Sequence, residues 1–424
     1  MLFNPLQLYA GSIPSPLISF GQVTDVHIVD NGNELRFEEV LSAGKFGLGA
    51  ILVKSNIIPL PISHDTDDST AYNWDRVIRS INAEHQKEPL DFLINTGDNT
   101  DTNLENELKW SIEIANGGPL SADYYDRTGK KDVSNLTDIA GFKMPWYAAL
   151  GNHDVEYQGS VNFYVKNLDK LLDLLSKSYP YSYNDLCSQK EALTMYLNAG
   201  GNPKGHGFAN MPKPIFPFTI QEGYYSFNPT PFIHIIVLNT ANYRPEIMLG
   251  QIGYREFFPE GFMNGRQFIW MKQDIKNNSD KLCIVFSHHP KPYMFSATKD
   301  QLAKTLSSYP NVIAHIAGHT HENKIEKVAY SNNGYWRITT DAAYTSPHEW
   351  RRFTVTDDGD GTGTITTRMK AVEIAQQGNG DLNRDRDLDF TIPKAVKDAM
   401  YDQTKQTTKV MLKSLLKSIF GFGK

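Results

Sequence analysis

The stretch Pro145-Trp146-Tyr147-Ala148-Ala149-Leu150-Gly151-Asn152-His153-Asp154 decides how this chain is read. Six uncharged residues run into a glycine, and three side chains that can bind a cation or move a proton follow at once. A strand fits the first part, and glycine permits the tight turn and close backbone approach that the second part requires. The same grammar recurs on both sides. Residues 17–29 hold a strand that ends in Asp25-Val26-His27. Residues 90–94 lead into Gly97-Asp98, residues 282–286 into His288-His289-Pro290, and residues 312–317 into Gly318-His319-Thr320-His321.

A lone Asp-x-His or Gly-Asp carries little information, and a lone histidine is more often a surface or core residue than a ligand. An ordered set in which every member ends a predicted strand carries far more. Residues two apart in an extended segment point the same way, so Asp25 and His27 can hold one ion. A carboxylate can bridge two cations about 3.5–4 Å apart, and paired metals point to hydrolysis of a phosphate ester. Carboxylates, imidazoles and an amide oxygen suit Mn, Fe, Zn or Ni better than a thiolate-loving metal.

The gross numbers describe a globular chain. A chain of 424 residues, 40% hydrophobic and 21% charged, can bury a large core. A net charge of -6 argues against general nucleic-acid binding. Two cysteines, Cys187 and Cys283, exclude a disulfide scaffold and leave the redox compartment open. No stretch approaches a membrane span. The first residues lack a basic region followed by an apolar core, so no signal peptide is expected there. An exported chain whose leader has been removed would read the same way.

Strands and helices alternate early and strands dominate late. This predicts an α+β fold of αββα type, two mixed sheets packed face to face with helices outside. The domain is expected over residues 17–373, with insertions at 31–71 and 160–222. The second insertion reads as a helix around Phe163 to Leu175 followed by loop, lying over the active-site face. Its His206, between two glycines, either contacts substrate or is an ordinary loop histidine. Residues 378–393 read as an acidic linker. Asp381, Asn383, Asp385, Asp387 and Asp389 alternate there like a calcium loop, but Arg386 and Ile392 stand where that loop needs Gly and Glu. Residues 394–424 read as one amphipathic helix with Lys405, Lys409, Lys413 and Lys417 four apart. It either lies on an anionic membrane surface or docks its apolar face on the domain, the commoner outcome.

The order of these blocks, from Asp25-Val26-His27 to Gly318-His319-Thr320-His321, resembles the calcineurin-like metallophosphoesterases. The resemblance spans roughly residues 18–345 and rests on the short motifs. It implies a double β-sandwich flanked by helices, two divalent metal ions, and hydrolysis of a small-molecule phosphodiester or phosphomonoester. By the same resemblance, Asp25, His27 and His321 bind one metal, Asn152, His288 and His319 the other, and Asp98 bridges them. His288 is preferred to His289, which is left as a substrate contact beside His206. His153 becomes the group that protonates the leaving oxygen, with Asp154 orienting its ring, and a hydroxide bridging the metals becomes the nucleophile. Purple acid phosphatases place an iron-binding tyrosine three residues after the bridging Asp. Asp101 stands there, which favours Mn, Fe(II) or Zn over a ferric centre. Two rival readings are a non-catalytic metal-binding scaffold and a membrane-recruited hydrolase of phospholipid headgroups.

Overall fold

The computed structural model describes residues 16–30, 70–121, 136–156, 159, 186–213, 222–241, 261–294, 296–330, 333–372 and 383–420. The twelve strands among them are β1 (Pro16–Val23), β2 (Phe92–Asn95), β3 (Trp146–Ala148), β4 (Tyr225–Thr230), β5 (Ile233–Val237), β6 (Leu282–Phe286), β7 (Val312–Ala317), β8 (Lys324–Tyr330), β9 (Asn333–Thr339), β10 (Glu349–Asp357), β11 (Thr362–Ala371) and β12 (Arg386–Thr391). They form two six-stranded sheets, β12-β11-β10-β1-β2-β3 and β4-β5-β6-β7-β9-β8.

The alternation of side chains along β5 and β6 explains the layering. Ile235, Val237, Ile284 and Phe286 face inward to the core shared by both sheets. Ile236, Leu238, Cys283 and Val285 face outward and are covered by Phe268, Met271, Ile275, Leu302 and Leu306. A strand buried on both faces reads as an unbroken apolar run, as Leu-Cys-Ile-Val-Phe does. Between the sheets, the edge of Phe20 meets Phe286 at 5.8 Å between ring centroids, and Tyr147 stacks on Phe227 at 3.8 Å.

Helices supply the outer layers. On the first sheet, α1 (Thr70–Lys87) buries Trp74, Val77, Ile78 and Ile81 at helical spacing. It is held there by Trp350 Nε1 donating to Ser80 Oγ at 3.2 Å. Helix α2 (Glu105–Asn116) packs beside it and ends at Gly117, whose φ of 71° suits glycine. After α3 (Gln189–Asn198) come the helices of the second sheet, α4 (Gly265–Asn277) and α5 (Ser296–Ser307). The fold is the expected α+β sandwich, and α5 is an element the sequence reading did not foresee.

Three expectations need correction. The second half of the 160–222 segment is not simply loop. Ser188 and Glu191 form a reciprocal capping box that starts α3, and residues 204–210 form a kinked 3-10 segment that buries Gly205, His206, Gly207 and Phe208. Residues 31–69, 160–185 and 214–221, with the helix expected near Phe163, lie outside the described residues.

The acidic linker is in large part a strand. β12 pairs antiparallel with β11, burying Leu388 while Asp387 and Asp389 point outward. Acidic side chains on the wet face of an edge strand hid its period of two. Asn383 and Asp385 accept the backbone N–H groups of Ile325 and Met369, so both serve as structural acceptors.

Among its described residues, helix α6 (Lys394–Phe420) buries Val396 and Met400 in the core of the domain. From Tyr401 to Met411, and at Lys413 and Ser414, it is exposed. Of the expected apolar band, Val410 and Met411 are exposed and not docked; Leu412, Leu415, Leu416, Ile419 and Phe420 lie outside the residues whose side chains are described.

Candidate metal centre

β1, β2 and β3 run parallel in one sheet, and β5, β6, β7 and β9 run parallel in the other. The loops leaving β1, β2, β3, β6 and β7 carry the five sequence blocks. Carboxyl ends of parallel strands are where α/β sheets gather functional groups.

Backbone pairing fixes the two loops of the first sheet against each other. The N–H groups of Asp25, Val26 and His27 donate to Gly97 and Asp98 carbonyls at 2.8–3.0 Å. Asp25, His27, Asp98, His319 and His321 all have positive φ, between 47° and 71°. Non-glycine residues in this region cost of order 1–3 kcal/mol each, and such strain clusters at functional sites. Asp25 and His27 thus converge through left-handed turns and not, as the sequence suggested, through an extended segment. Gly151 and Gly318 make the approach possible. A Cβ at Gly151 would lie 2.0 Å from Asp98 Oδ1, and one at Gly318 would lie 1.9 Å from Thr24 Oγ1.

The predicted residues come together. Asp98 Oδ2 lies 3.1 Å from His288 Nε2 and 3.8 Å from His27 Nε2. Asp25 Oδ1 lies 3.2 Å from His321 Nε2 and 3.8 Å from His27 Nε2. The potential ligand atoms of Asp25, His27 and His321 fall within 4.8 Å of one another, as do those of Asp25, Asp98 and His288, and those of His288, His289 and His319. All of Asp25, His27, Asp98 and His288 are buried.

Each imidazole is aimed from behind. His288 Nδ1 donates to the Thr96 carbonyl at 3.0 Å, which leaves Nε2 facing Asp98. His27 Nδ1 lies 3.2 Å from Asp101 Oδ1. His289 Nδ1 lies 2.9 Å from Thr240 Oγ1, with its ring 4.3 Å from that of His319. Such outer partners fix the tautomer and ring orientation of a ligating histidine. Burial works to lower the pKa values of His27 and His288. Burial is the largest single influence on each, but Asp101, Asp25 and Asp98 together outweigh it for His27, and Asp98, Asp25 and Asp154 together for His288, taking them up to about 10 and about 9. Burial opposes ionisation of Asp98 too, yet the charges on His288, His153 and His27 hold its carboxyl below the usual range.

Two observations test whether the residues suit metal ions. Asn152 Nδ2 donates to the Gly159 carbonyl at 2.9 Å, and its buried Oδ1 has no hydrogen-bond partner among the described residues. A buried acceptor left this way is costly unless something else satisfies it. The cluster also concentrates carboxylates and imidazoles, the donor set of a divalent cation. The residues fit.

His153 stands beside this set. Its N–H donates to Asp98 Oδ1 at 2.9 Å, and its Nδ1 donates to the Asp101 carbonyl at 2.6 Å, so Nε2 is the atom left for chemistry. Burial holds its pKa down to about 4. The expected partner of its ring was Asp154, and this is corrected. The Asp154 carboxylate instead accepts the N–H groups of Asn99, Gly151, Asp98 and Thr100 at 2.7–3.2 Å. It clips the Gly97-Asp98 turn to the Gly151-Asn152 turn.

His206 is placed elsewhere. It is buried and stacked on Trp146 at 3.6 Å, with Asn116 Nδ2 3.3 Å from its Nε2. It belongs to the packing of β3 against α2, not to the cluster. Tyr344 is the residue that sequence reasoning missed. Its ring packs against His27 and His321 at 4.9 and 5.3 Å, and its hydroxyl lies 3.4 Å from His321 Nδ1. It follows β9, in a loop with no motif to announce it.

A calcineurin-like phosphoesterase family model matches residues 18–323. The chain belongs to that family. This phosphoesterase is therefore a metal-dependent hydrolase of phosphoric esters. A comparison with curated protein sequences gives no match. Among solved structures, the phosphoesterase is similar to GAP50, the anchor in the inner membrane complex of Plasmodium, at 12% identity and a TM-score of 0.42, covering 91% of this chain and 93% of that one. It is similar to PhoD at 12% identity and 0.42, covering 96% and 79%. Purple acid phosphatase PPD1 from yellow lupin (Lupinus luteus) seeds gives 11% and 0.41, covering 91% and 56%.

Proposed function

We propose that the centre holds two divalent cations and that the enzyme hydrolyses a small-molecule phosphodiester or phosphomonoester. The observation that carries this is the position of Asp98 Oδ2, 3.8 Å from His27 Nε2 and 3.1 Å from His288 Nε2. On this reading Asp25, His27 and His321 hold one cation, Asn152, His288 and His319 hold the second, and Asp98 is shared. Mn, Fe(II) and Zn suit these donors. The two cysteines stand apart from the cluster, both buried, Cys187 beside the Ser188 carbonyl and Cys283 beside that of Lys281.

When bound, such cations polarise a phosphoryl oxygen and activate water. The chain's own groups do the rest. Asp101 and Thr96 keep the Nε2 atoms of His27 and His288 aimed inward. His153, with Nδ1 engaged by the Asp101 carbonyl and its pKa held down to about 4, presents Nε2 toward the leaving oxygen, where it would deliver a proton taken up once the negative charge of the bound phosphoester raises its basicity. A group within reach of the leaving oxygen contributes about 10²–10⁴-fold.

The test is a panel of phosphomonoesters and phosphodiesters assayed with metal-stripped protein to which Mn, Fe(II), Zn or Ni is added singly. Turnover restored by at least one metal, with two ions bound per chain, is expected. Tight binding of two ions without hydrolysis of any ester would favour the rival reading, a non-catalytic metal-binding scaffold.

A further inference from the structure

The exposed length of α6 does not take part in the metal centre, and its charge is unlike that of the rest of the chain. Residues 394–424 carry seven lysines against two aspartates. The whole chain is at -6, so the remainder is at -11. The charge is also graded along the helix. Asp398 and Asp402 both lie near its start, where Lys394 pairs with Asp398 at 2.6 Å. From Gln403 onward no acidic residue occurs, and Lys405, Lys409, Lys413 and Lys417 follow at four-residue steps.

The apolar residues are graded in the same way. Val396 and Met400 anchor the helix in the core. After them every described side chain is exposed, and Val410 and Met411 are each 67% accessible. By sequence position Met411, Leu412, Leu415, Leu416 and Ile419 share one side of a helix with about 3.6 residues per turn. Lys413 and Lys417 occupy the opposite side. A helix with an apolar side, a lysine-rich side and no acids is built for an anionic interface.

Distance resolves the conflict with an acidic body. Thirteen residues separate Met400 from Lys413, about 20 Å of helix at 1.5 Å per residue. Charges are screened over about 8 Å at physiological ionic strength. Along the helix, the basic end therefore lies more than about two screening lengths from its anchor in the domain.

We propose that the distal half of α6 binds an anionic lipid surface, lysines toward the headgroups and the Met411–Ile419 side toward the acyl chains, tethering the phosphoesterase domain there. The test is cosedimentation of the full chain with phosphatidylcholine vesicles, with and without phosphatidylserine. Binding only to the phosphatidylserine vesicles, weakened by salt, is expected. Lys409→Gln/Lys413→Gln/Lys417→Gln should lower that affinity about 100-fold, at about fivefold per lysine near the surface. Met411→Ser/Leu415→Ser should also lower it, while both variants keep the melting temperature and the hydrolysis of soluble esters. Equal binding to neutral vesicles, or none to either, overturns the proposal. So does self-association without lipid that Met411→Ser/Leu415→Ser abolishes, because a second copy would then be the occupant. Equally tight binding to soluble heparin would reduce the helix to a general polyanion site and overturn it as well.

Discussion

The backbone N–H of Asp98 donates to the Asp154 carboxylate at 3.0 Å, and the N–H of Gly151 donates to the same oxygen at 2.8 Å. One buried side chain thus holds the two turns that present Asp98 and Asn152. Burial and the Asp98 charge push the Asp154 pKa up to about 6, while N–H donors, Gly151 foremost, hold it down. Asp154→Asn turns an acceptor into a donor against these N–H groups. It should cost about 1–3 kcal/mol of stability and about 10–100-fold in metal affinity. Thermal melts and metal titrations of the variant read both effects. An unchanged metal affinity would mean that the clip does not set the ligand geometry.

Asp98 itself is expected to be indispensable. Asp98→Asn replaces the carboxylate between His27 and His288 with a neutral amide, which cannot hold two cations close together. Elemental analysis should find at least one metal lost, and hydrolysis should nearly vanish. An active Asp98→Asn enzyme with two tightly held ions would sink the bridging assignment.

For His153, proton transfer can be separated from metal binding. His153→Ala should retain metal and slow alkoxide leaving groups more than nitrophenolate, by up to about 10²–10⁴-fold. Gly159→Ala keeps the imidazole but displaces it: Gly159 has a φ of +66°, and a Cβ there would lie 2.2 Å from His153 Cδ2 and 2.6 Å from Asn152 Nδ2. The same dependence on leaving group is expected, read beside the metal content because Asn152 is pressed too. Equal losses for both leaving groups in both variants would remove His153 from the proton step.

Much of this site was legible because its residues lie in short blocks after apolar strands. The paired turns that bring Asp25 and His27 together were not legible as geometry, since nothing in Asp-Val-His announces two left-handed residues. Asp154 was misread for a related reason. Adjacency to His153 suggested a side-chain partner, whereas the carboxylate turns back onto backbone N–H groups of another loop. Tyr344 and Thr96 act through ring packing and a main-chain carbonyl, which leave no pattern in a single sequence. In the fold, β12 was hidden by its acidic face and α3 by the glycines that follow it. Helix α6 was legible as a helix, but a sequence pattern cannot say whether an apolar band finds a surface to cover.

The pH dependence of the metal-stripped protein provides the last test. Without cations, His27 and His288 are two of the imidazoles that face the carboxylates of this cluster, and their pKa values rise from 6.5 to about 10 and about 9. A histidine raised on folding contributes stability that is complete below its unfolded pKa and is lost as pH rises through its folded value. Stripped protein should therefore lose melting temperature between about pH 7 and pH 10. Metal-loaded protein should not, because a coordinating imidazole is already deprotonated. Loading near pH 7.5 should release protons, which calorimetry in buffers of different ionisation enthalpy measures directly. Melting curves that fall in parallel for stripped and loaded protein, with no proton release on loading, would show that these histidines do not exchange protons for metal.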